Sequence, residues 1–126
     1  MGYYSEVGLA LTQNGVNELH KRLELIKSDS KVRREVMTLL EYANQHYIDK
    51  ETNAEVWFWE FRKWYTGDPK YYPEIDVIDN FLDSLDEDDF RFIRIGEEYD
   101  DTEVLGGFVE NPFDLELARE ITIRAA

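Results

Sequence analysis

The residues of this 126-residue chain that are best placed to do chemistry are carboxylates concentrated between Glu74 and Glu103. Thirteen of the 28 acidic residues fall in this stretch, against only two basic ones, Arg91 and Arg94. The 73 residues before it are nearly neutral, with 11 acids and 10 bases, so the formal net charge of −14 belongs mainly to one segment. A segment of this kind repels nucleic acid and attracts cationic partners. We therefore expect a basic or nucleic-acid-binding protein as partner, and no direct binding of nucleic acid.

Four of these carboxylates follow helical spacing. A helix is predicted to begin at Pro73, and steps of three, four and three residues place one row of acids opposite its apolar stripe: Asp76, Asp79, Asp83 and Asp86. Successive members lie roughly 5 Å apart along the axis. Like charges at this spacing cost a few tenths of a kcal/mol each, about the size of an i,i+4 pair. No Lys or Arg lies between Lys70 and Arg91 to relieve that repulsion.

Three interpretations of the acidic segment stay open. The first is a solvated face that serves only solubility. The second is a docking surface for a cationic partner, including a mimic of nucleic acid whose carboxylates stand in for phosphates. The third is a calcium or magnesium site, although no EF-hand pattern is present. The candidate ligands of that third site are Asp86, Asp88 and Asp89, or Glu97, Glu98, Asp100 and Asp101. Our working hypothesis is docking through two acidic groups. The first is the helical row with its continuation, Asp76, Asp79, Asp83, Asp86, Asp88 and Asp89, and the second is the loop group Glu97, Glu98, Asp100 and Asp101.

An aromatic strand, predicted over residues 54–65, offers candidate apolar anchors. Alternation puts Trp57, Trp59, Phe61 and Tyr65 on one side and Val56, Phe58, Glu60, Arg62 and Trp64 on the other. If Val56 and Phe58 face the helices, the tryptophans lie on an open face and, with Tyr65, anchor a partner. The alternative is that the sheet curls, or that the chain forms a homodimer, and both faces are buried.

The order of predicted elements is βααββαβ(β)β, which indicates an α+β fold in a single domain over residues 1–126. We expect a largely antiparallel sheet of about five strands, with three helices packed on one face. Val7, Leu9 and Leu11 share one side of the first strand. Asn14 is the expected N-cap of the first helix, and a last strand is expected over residues 115–123.

The sequence contains no recognisable catalytic set. There is no cysteine, the two histidines His20 and His46 fall in different elements, and no serine lies in a nucleophile-elbow sequence. We therefore expect a non-enzymatic protein with no catalytic residues, no cofactor and no metal ligands. The alternatives are an enzyme that depends on a small ligand or a divalent metal, with a pocket near the aromatic strand, and a structural homodimer joined through the tryptophan face.

The start of the chain predicts neither secretion nor membrane anchoring. Residues 1–6 lack the basic region and the apolar run of a signal peptide, and Glu6 stands where myristoylation requires Ser or Thr. No apolar run approaches the ~20 residues of a membrane span. We expect a cytoplasmic protein without membrane contacts.

Three short segments carry a resemblance to known proteins. They are residues 2–7 (Gly-Tyr-Tyr-Ser-Glu-Val), residues 63–65 (Lys-Trp-Tyr) and residues 94–101 (Arg-Ile-Gly-Glu-Glu-Tyr-Asp-Asp). In these segments the chain resembles a family of small, acidic, mostly uncharacterised phage and prophage proteins. The resemblance implies an inhibitor of host or defence machinery, an anti-CRISPR protein being one candidate, that acts in the host cytoplasm. It implies no catalytic residues.

Overall fold

The computed structural model describes residues 2–26, 30–115 and 117, and it confirms the predicted α+β class. The three helices are α1 (Gln13–Leu25), α2 (Lys31–Glu41) and α3 (Pro73–Ser84). The strands are β1 (Ser5–Leu11), β2 (Gln45–Ile48), β3 (Glu55–Arg62), β4 (Phe90–Ile95) and β5 (Thr102–Leu105), with one 3-10 turn at Glu87–Asp89. The predicted strand over residues 115–123 lies almost entirely outside the described residues.

The five strands form one antiparallel sheet in the order β2-β3-β1-β4-β5. The central strand, β1, pairs on one side with β3 and on the other with β4, where Glu6 faces Ile95 and Leu11 faces Phe90. Central strands are covered on both faces more completely than edge strands. Six of the seven β1 residues are buried accordingly.

All three helices pack on the sheet face that carries Val7, Leu9 and Leu11, as the sequence predicts. The helical residues in this core follow the 3.6-residue period of amphipathic helices. They are Val16, Leu19 and Leu23 of α1, Val36 and Leu39 of α2, and Ile75, Ile78, Phe81 and Leu82 of α3. The helix layer thus fixes which side of α3 faces solvent.

A β-bulge in β3 decides which aromatic residues enter the core. Val7 pairs with Trp59 and Ser5 with Arg62, so two steps along β1 match three along β3. One extra residue reverses the alternation beyond Trp59. Trp64 consequently joins Trp59 in the core, with ring centroids 5.3 Å apart, while Phe61 turns outward and is 72% exposed. The predicted grouping of Phe61 with Trp57 and Trp59 is wrong for this reason.

The other sheet face is crossed by the chain that follows β5. Buried Asn111 organises a turn there, because its side-chain oxygen accepts from the amide N–H groups of Phe113 and Leu115, at 3.2 and 2.8 Å. Leu115 then lies directly over Gly8 of β1, where an added Cβ would come within 2.7 Å of Leu115 Cδ1. The chain after β5 can therefore pack closely over β1 because residue 8 is a glycine.

The N-cap of α1 is Thr12, not the predicted Asn14. The Thr12 hydroxyl accepts from Gly15 N–H at 3.1 Å and donates to Asp89 Oδ1 at 2.7 Å. Asn14 instead donates its side-chain amide to Asp89 Oδ2 at 2.7 Å. The carboxylate of Asp89 therefore ties the start of α1 to the start of β4.

Candidate acidic docking surface

Three of the four predicted row members lie in one row along α3, and we call them the α3 stripe: Asp76, Asp79 and Asp83. Ile75 and Ile78 are buried against the sheet, and with 3.6 residues per turn the three carboxylates fall on the flank of this buried face, where Asp83 is exposed and Asp76 and Asp79 are half-buried. Pro73 occupies the first helical turn and fixes the start of the helix. The fourth predicted member, Asp86, is not in the row, because α3 ends at Ser84.

Asp79 is the electrostatic centre of the α3 stripe. Partial burial raises its pKa, and the charges of Asp83, Glu103 and Asp76 raise it further. Asp83 and Asp76 are its helical neighbours, whereas Glu103 belongs to β5 at the edge of the sheet. These three nearby negative charges disfavour the ionised form of Asp79. Glu103 thus adds to the repulsion at Asp79, although it is itself paired with Arg94.

No base within the described part of the chain forms an ion pair with the α3 stripe. Arg22 of α1 reaches the end of α3, but it donates to the Ser84 hydroxyl at 2.7 Å and lies over the Phe81 ring. The polar contact found within the stripe is Asn80 Nδ2 to Asp76 Oδ2, at 3.2 Å. The stripe is therefore repulsive and largely uncompensated.

Two of the carboxylates that follow α3, those of Asp86 and Asp89, have structural roles instead. Asp86 caps the 3-10 turn, accepting from Asp88 N–H at 3.0 Å. Asp89 holds Thr12 and Asn14, as described above, and Asp88 is exposed. The structure therefore separates these three residues from the α3 stripe, although the sequence placed them in continuation of it.

The second acidic group, in residues 97–103, is organised around Arg94. The Arg94 guanidinium donates to both Asp101 oxygens, at 2.7 and 3.1 Å, and to Glu103 Oε1 at 2.8 Å. It also donates to the hydroxyl of buried Ser5 at 3.1 Å. The Asp101 hydrogen bonds, and then Glu103, raise the pKa of Arg94 against the opposing effect of burial. We call Arg94, Asp101, Glu103, Ser5 and Tyr3 the Arg94 network.

Tyrosines at the start of the chain complete this network. Tyr3 donates its hydroxyl to Asp101 Oδ2 at 2.7 Å and accepts from Glu98 N–H at 2.9 Å. The bond from Glu98 lowers the pKa of Tyr3, but burial and Asp101 outweigh it and the pKa is raised overall. Gly96 is needed beside them, because a Cβ there would collide with Asp101 Oδ2 and the Tyr3 hydroxyl. Glu98 and Asp100 remain exposed at the surface of this loop.

Two of the three predicted aromatic anchors, Trp57 and Trp59, lie in the interior, and the third, Tyr65, is half-buried. Trp57 and Trp59 are 5% and 1% exposed, and Trp59 Nε1 donates to the Leu39 carbonyl of α2 at 2.8 Å. The interpretation that they lie on an open face is therefore wrong, because the helices cover that face. The Tyr65 hydroxyl accepts from Tyr3 N–H at 2.6 Å, and its ring packs edge-on against Tyr72. A homodimer through the Trp57 and Trp59 face conflicts with this packing.

The described residues contain no group of three or more His, Asp or Glu side chains arranged to hold a metal ion. Both acidic runs proposed as calcium or magnesium ligands fall within these residues. His46 stacks on Trp57 with centroids 4.9 Å apart, and its Nε2 lies 2.8 Å from Glu55 Oε1. Both contacts of His46 hold the edge strand β2 against its neighbour β3.

Sequence reasoning missed Glu103 and Arg94 as members of the site. Arg94 was visible as one of two bases in the acidic segment, and that isolation is the signal that could have identified it as the centre of an ion-pair network. Glu103 carried no such signal, because its proximity to Asp79 depends on how β5 lies beside α3.

Comparisons with known protein families, with curated proteins and with solved structures find no match. Among the described residues, no helix combines the length and apolarity needed to cross a membrane.

Proposed function

We propose that this chain is a non-enzymatic protein-binding domain whose α3 stripe docks on a basic surface of a partner protein. The observation that carries the proposal is the place of Asp79 in a row of carboxylates on α3, where burial and the charges of Asp83, Glu103 and Asp76 raise its pKa. A face that served only solubility gains nothing from concentrating like charges in this way, because interleaved lysines relieve the repulsion at the same polarity.

The sharpest form of the proposal is an inhibitor that mimics nucleic acid. Partly exposed carboxylates roughly 5 Å apart along a helix present a row of negative charge to the Arg and Lys residues that normally contact phosphates. Rigidity favours this use, since α3 is fixed by Ile75, Ile78 and Phe81 in the core. The resemblance to small acidic phage proteins points to the same class of function, in a host cytoplasm.

The experiment uses a synthetic arginine-rich peptide as a defined basic partner. Its affinity is measured for the natural protein and for the double variant Asp79→Lys/Asp83→Lys, at low salt and at ~0.5 M salt, where the Debye length is only a few Å. We expect the double variant to bind at least about tenfold more weakly at low salt, which corresponds to about 1.4 kcal/mol. We also expect duplex DNA to compete with the natural protein for the peptide.

The control is Glu24→Lys/Glu41→Lys, which changes the same net charge of −14 by the same four units. Both of its positions are exposed on α1 and α2, away from the stripe. An equal loss of affinity in the two double variants would show that the peptide senses only net charge, and it would contradict docking by the α3 stripe.

A further inference from the structure

The β-bulge in β3 creates a second surface, at the opposite end of the aromatic strand from Trp57. Phe61 is turned outward there and is 72% exposed. The bulge is well formed, because the Glu60 N–H donates to Asn44 Oδ1 at 2.7 Å where pairing with β2 has ended. Bulges commonly redirect a side chain for function.

The exposed ring forms the wall of a cavity of about 210 Å³. Tyr4 packs beside Phe61, with centroids 5.0 Å apart and ring planes inclined by 49°. We call this cavity the bulge groove; its side chains come from Tyr4, Glu6, Glu60, Phe61, Ile95 and Glu97.

The charge of the bulge groove is negative. Within the described part of the chain it is lined by three carboxylates, those of Glu6, Glu60 and Glu97, and by no Lys or Arg. Glu97 Oε2 is held in place by Tyr4 N–H at 3.1 Å. The chain's own Lys63 lies over the Tyr4 ring but belongs to the adjacent depression, which shares Tyr4 and Phe61. Among the described residues, the bulge groove thus combines an aromatic wall with three carboxylates, while Arg62 and Lys63 line the adjacent depression.

We propose that the bulge groove binds an arginine side chain of a partner protein. The planar guanidinium stacks on the Phe61 ring, and its N–H donors reach the carboxylates around it. Arginine fits better than lysine because it stacks on aromatic faces, pairs with carboxylates through two parallel bonds and is more weakly hydrated. The bulge groove therefore gives one arginine side chain both an apolar contact and charges of opposite sign. This site is separate from the α3 stripe and does not depend on it.

The test is a titration of the ¹⁵N-labelled protein with the blocked tripeptide Gly-Arg-Gly, followed by amide chemical shifts. We expect saturable shifts at Phe61, Ile95 and Gly96. The peptide with citrulline in place of arginine has nearly the same shape without the charge, and it should produce no saturable shift. Phe61→Ala should weaken binding roughly three- to fivefold, the size of an exposed cation–aromatic contact. Glu60→Gln should weaken it as well.

Phe61 and Glu60 are exposed, so both variants should keep the natural amide spectrum away from the groove, and that spectrum is the check on folding. Asp79→Lys/Asp83→Lys should weaken tripeptide binding no more than Glu24→Lys/Glu41→Lys does, which keeps this test independent of the α3 stripe. Equal shifts with the citrulline peptide, or unchanged affinity in Phe61→Ala, would overturn the proposal.

Discussion

The two acidic groups of this protein lie within 30 residues of each other in sequence, yet they differ in how their charge is held. In the Arg94 network, the Asp101 and Glu103 carboxylates share one guanidinium that is 14% exposed. In the α3 stripe, Asp79 is surrounded by like charges and pairs with no base of the described residues. Equal acidity in a sequence can therefore mean internal structure in one place and an unsatisfied surface in another.

Removing Arg94 should have the largest effect on stability. Arg94→Met leaves Asp101 and Glu103 close together without their cation, and breaking a buried pair in this way costs about 3–5 kcal/mol. Because both carboxylates are partly exposed, we expect roughly 2–3 kcal/mol, measured as the free energy of unfolding in urea. The control is Lys21→Met, which breaks the exposed Lys21–Glu18 pair and should cost under about 0.5 kcal/mol. Similar losses in the two variants would contradict the structural role of Arg94.

The Tyr3 hydroxyl should contribute less than Arg94. Tyr3→Phe removes the bond donated to Asp101 and the one accepted from Glu98, while the ring stays. We expect a smaller loss of stability than in Arg94→Met, because net hydrogen bonds contribute less than the cation of a partly buried ion-pair network. Faster hydrogen exchange at the Glu98 amide would locate the effect in the loop. An unchanged exchange rate there would contradict the assigned contacts.

Neutralising Asp79 of the α3 stripe should raise the free energy of unfolding, whereas the two variants above lower it. Asp79→Asn removes a charge repelled by Asp76, Asp83 and Glu103, so we expect the protein to gain roughly 0.5 kcal/mol, from pairs that cost a few tenths each. Asp100→Asn, at an exposed loop position, is the matched control and should change stability little. A loss of stability in Asp79→Asn would mean that the carboxylate has a stabilising partner.

The pH dependence of stability should report the raised pKa values of two acids on α3. The pKa of Asp79 and that of Glu74 are both raised by burial, and in Glu74 the charge of Glu35 adds to the effect. An acid with a raised pKa holds its proton more tightly in the folded state, so stability falls as pH rises through that pKa. We expect the free energy of unfolding to decrease on going from just above pH 4 towards neutrality, and Asp79→Asn to flatten this decrease. An increase over that range would contradict it.

Features set by local spacing were predictable from the sequence. Pro73 marked the start of α3, and the alternation of Val7, Leu9 and Leu11 identified the core face of β1. The α+β class followed from the order of such elements. Their signals are periodicity and backbone chemistry, which depend only on neighbours along the chain.

Features set by contacts distant in sequence were not predictable. One extra residue in β3 exchanged Phe61 for Trp64 in the core, and a period-two pattern carries no sign of a bulge. Thr12 is the N-cap, whereas the Asn14 side chain is used to bond Asp89, 75 residues away, and that contact leaves no local signal. The division of the acidic segment likewise depends on Arg94, whose partners become known only when β4 and β5 are paired.

The most direct test of the difference between the two acidic groups is the carboxyl titration of Asp79, followed by NMR of its side-chain carbon. We predict a pKa above that of an ordinary aspartate in the natural protein and a lower one in Asp83→Asn, because a repelling charge has been removed. In Arg94→Met the pKa should rise further, since Glu103 then acts on Asp79 without its cation. An Asp79 pKa at or below the ordinary value, unmoved by Asp83→Asn, would show that the α3 stripe is compensated and would remove the physical basis for docking.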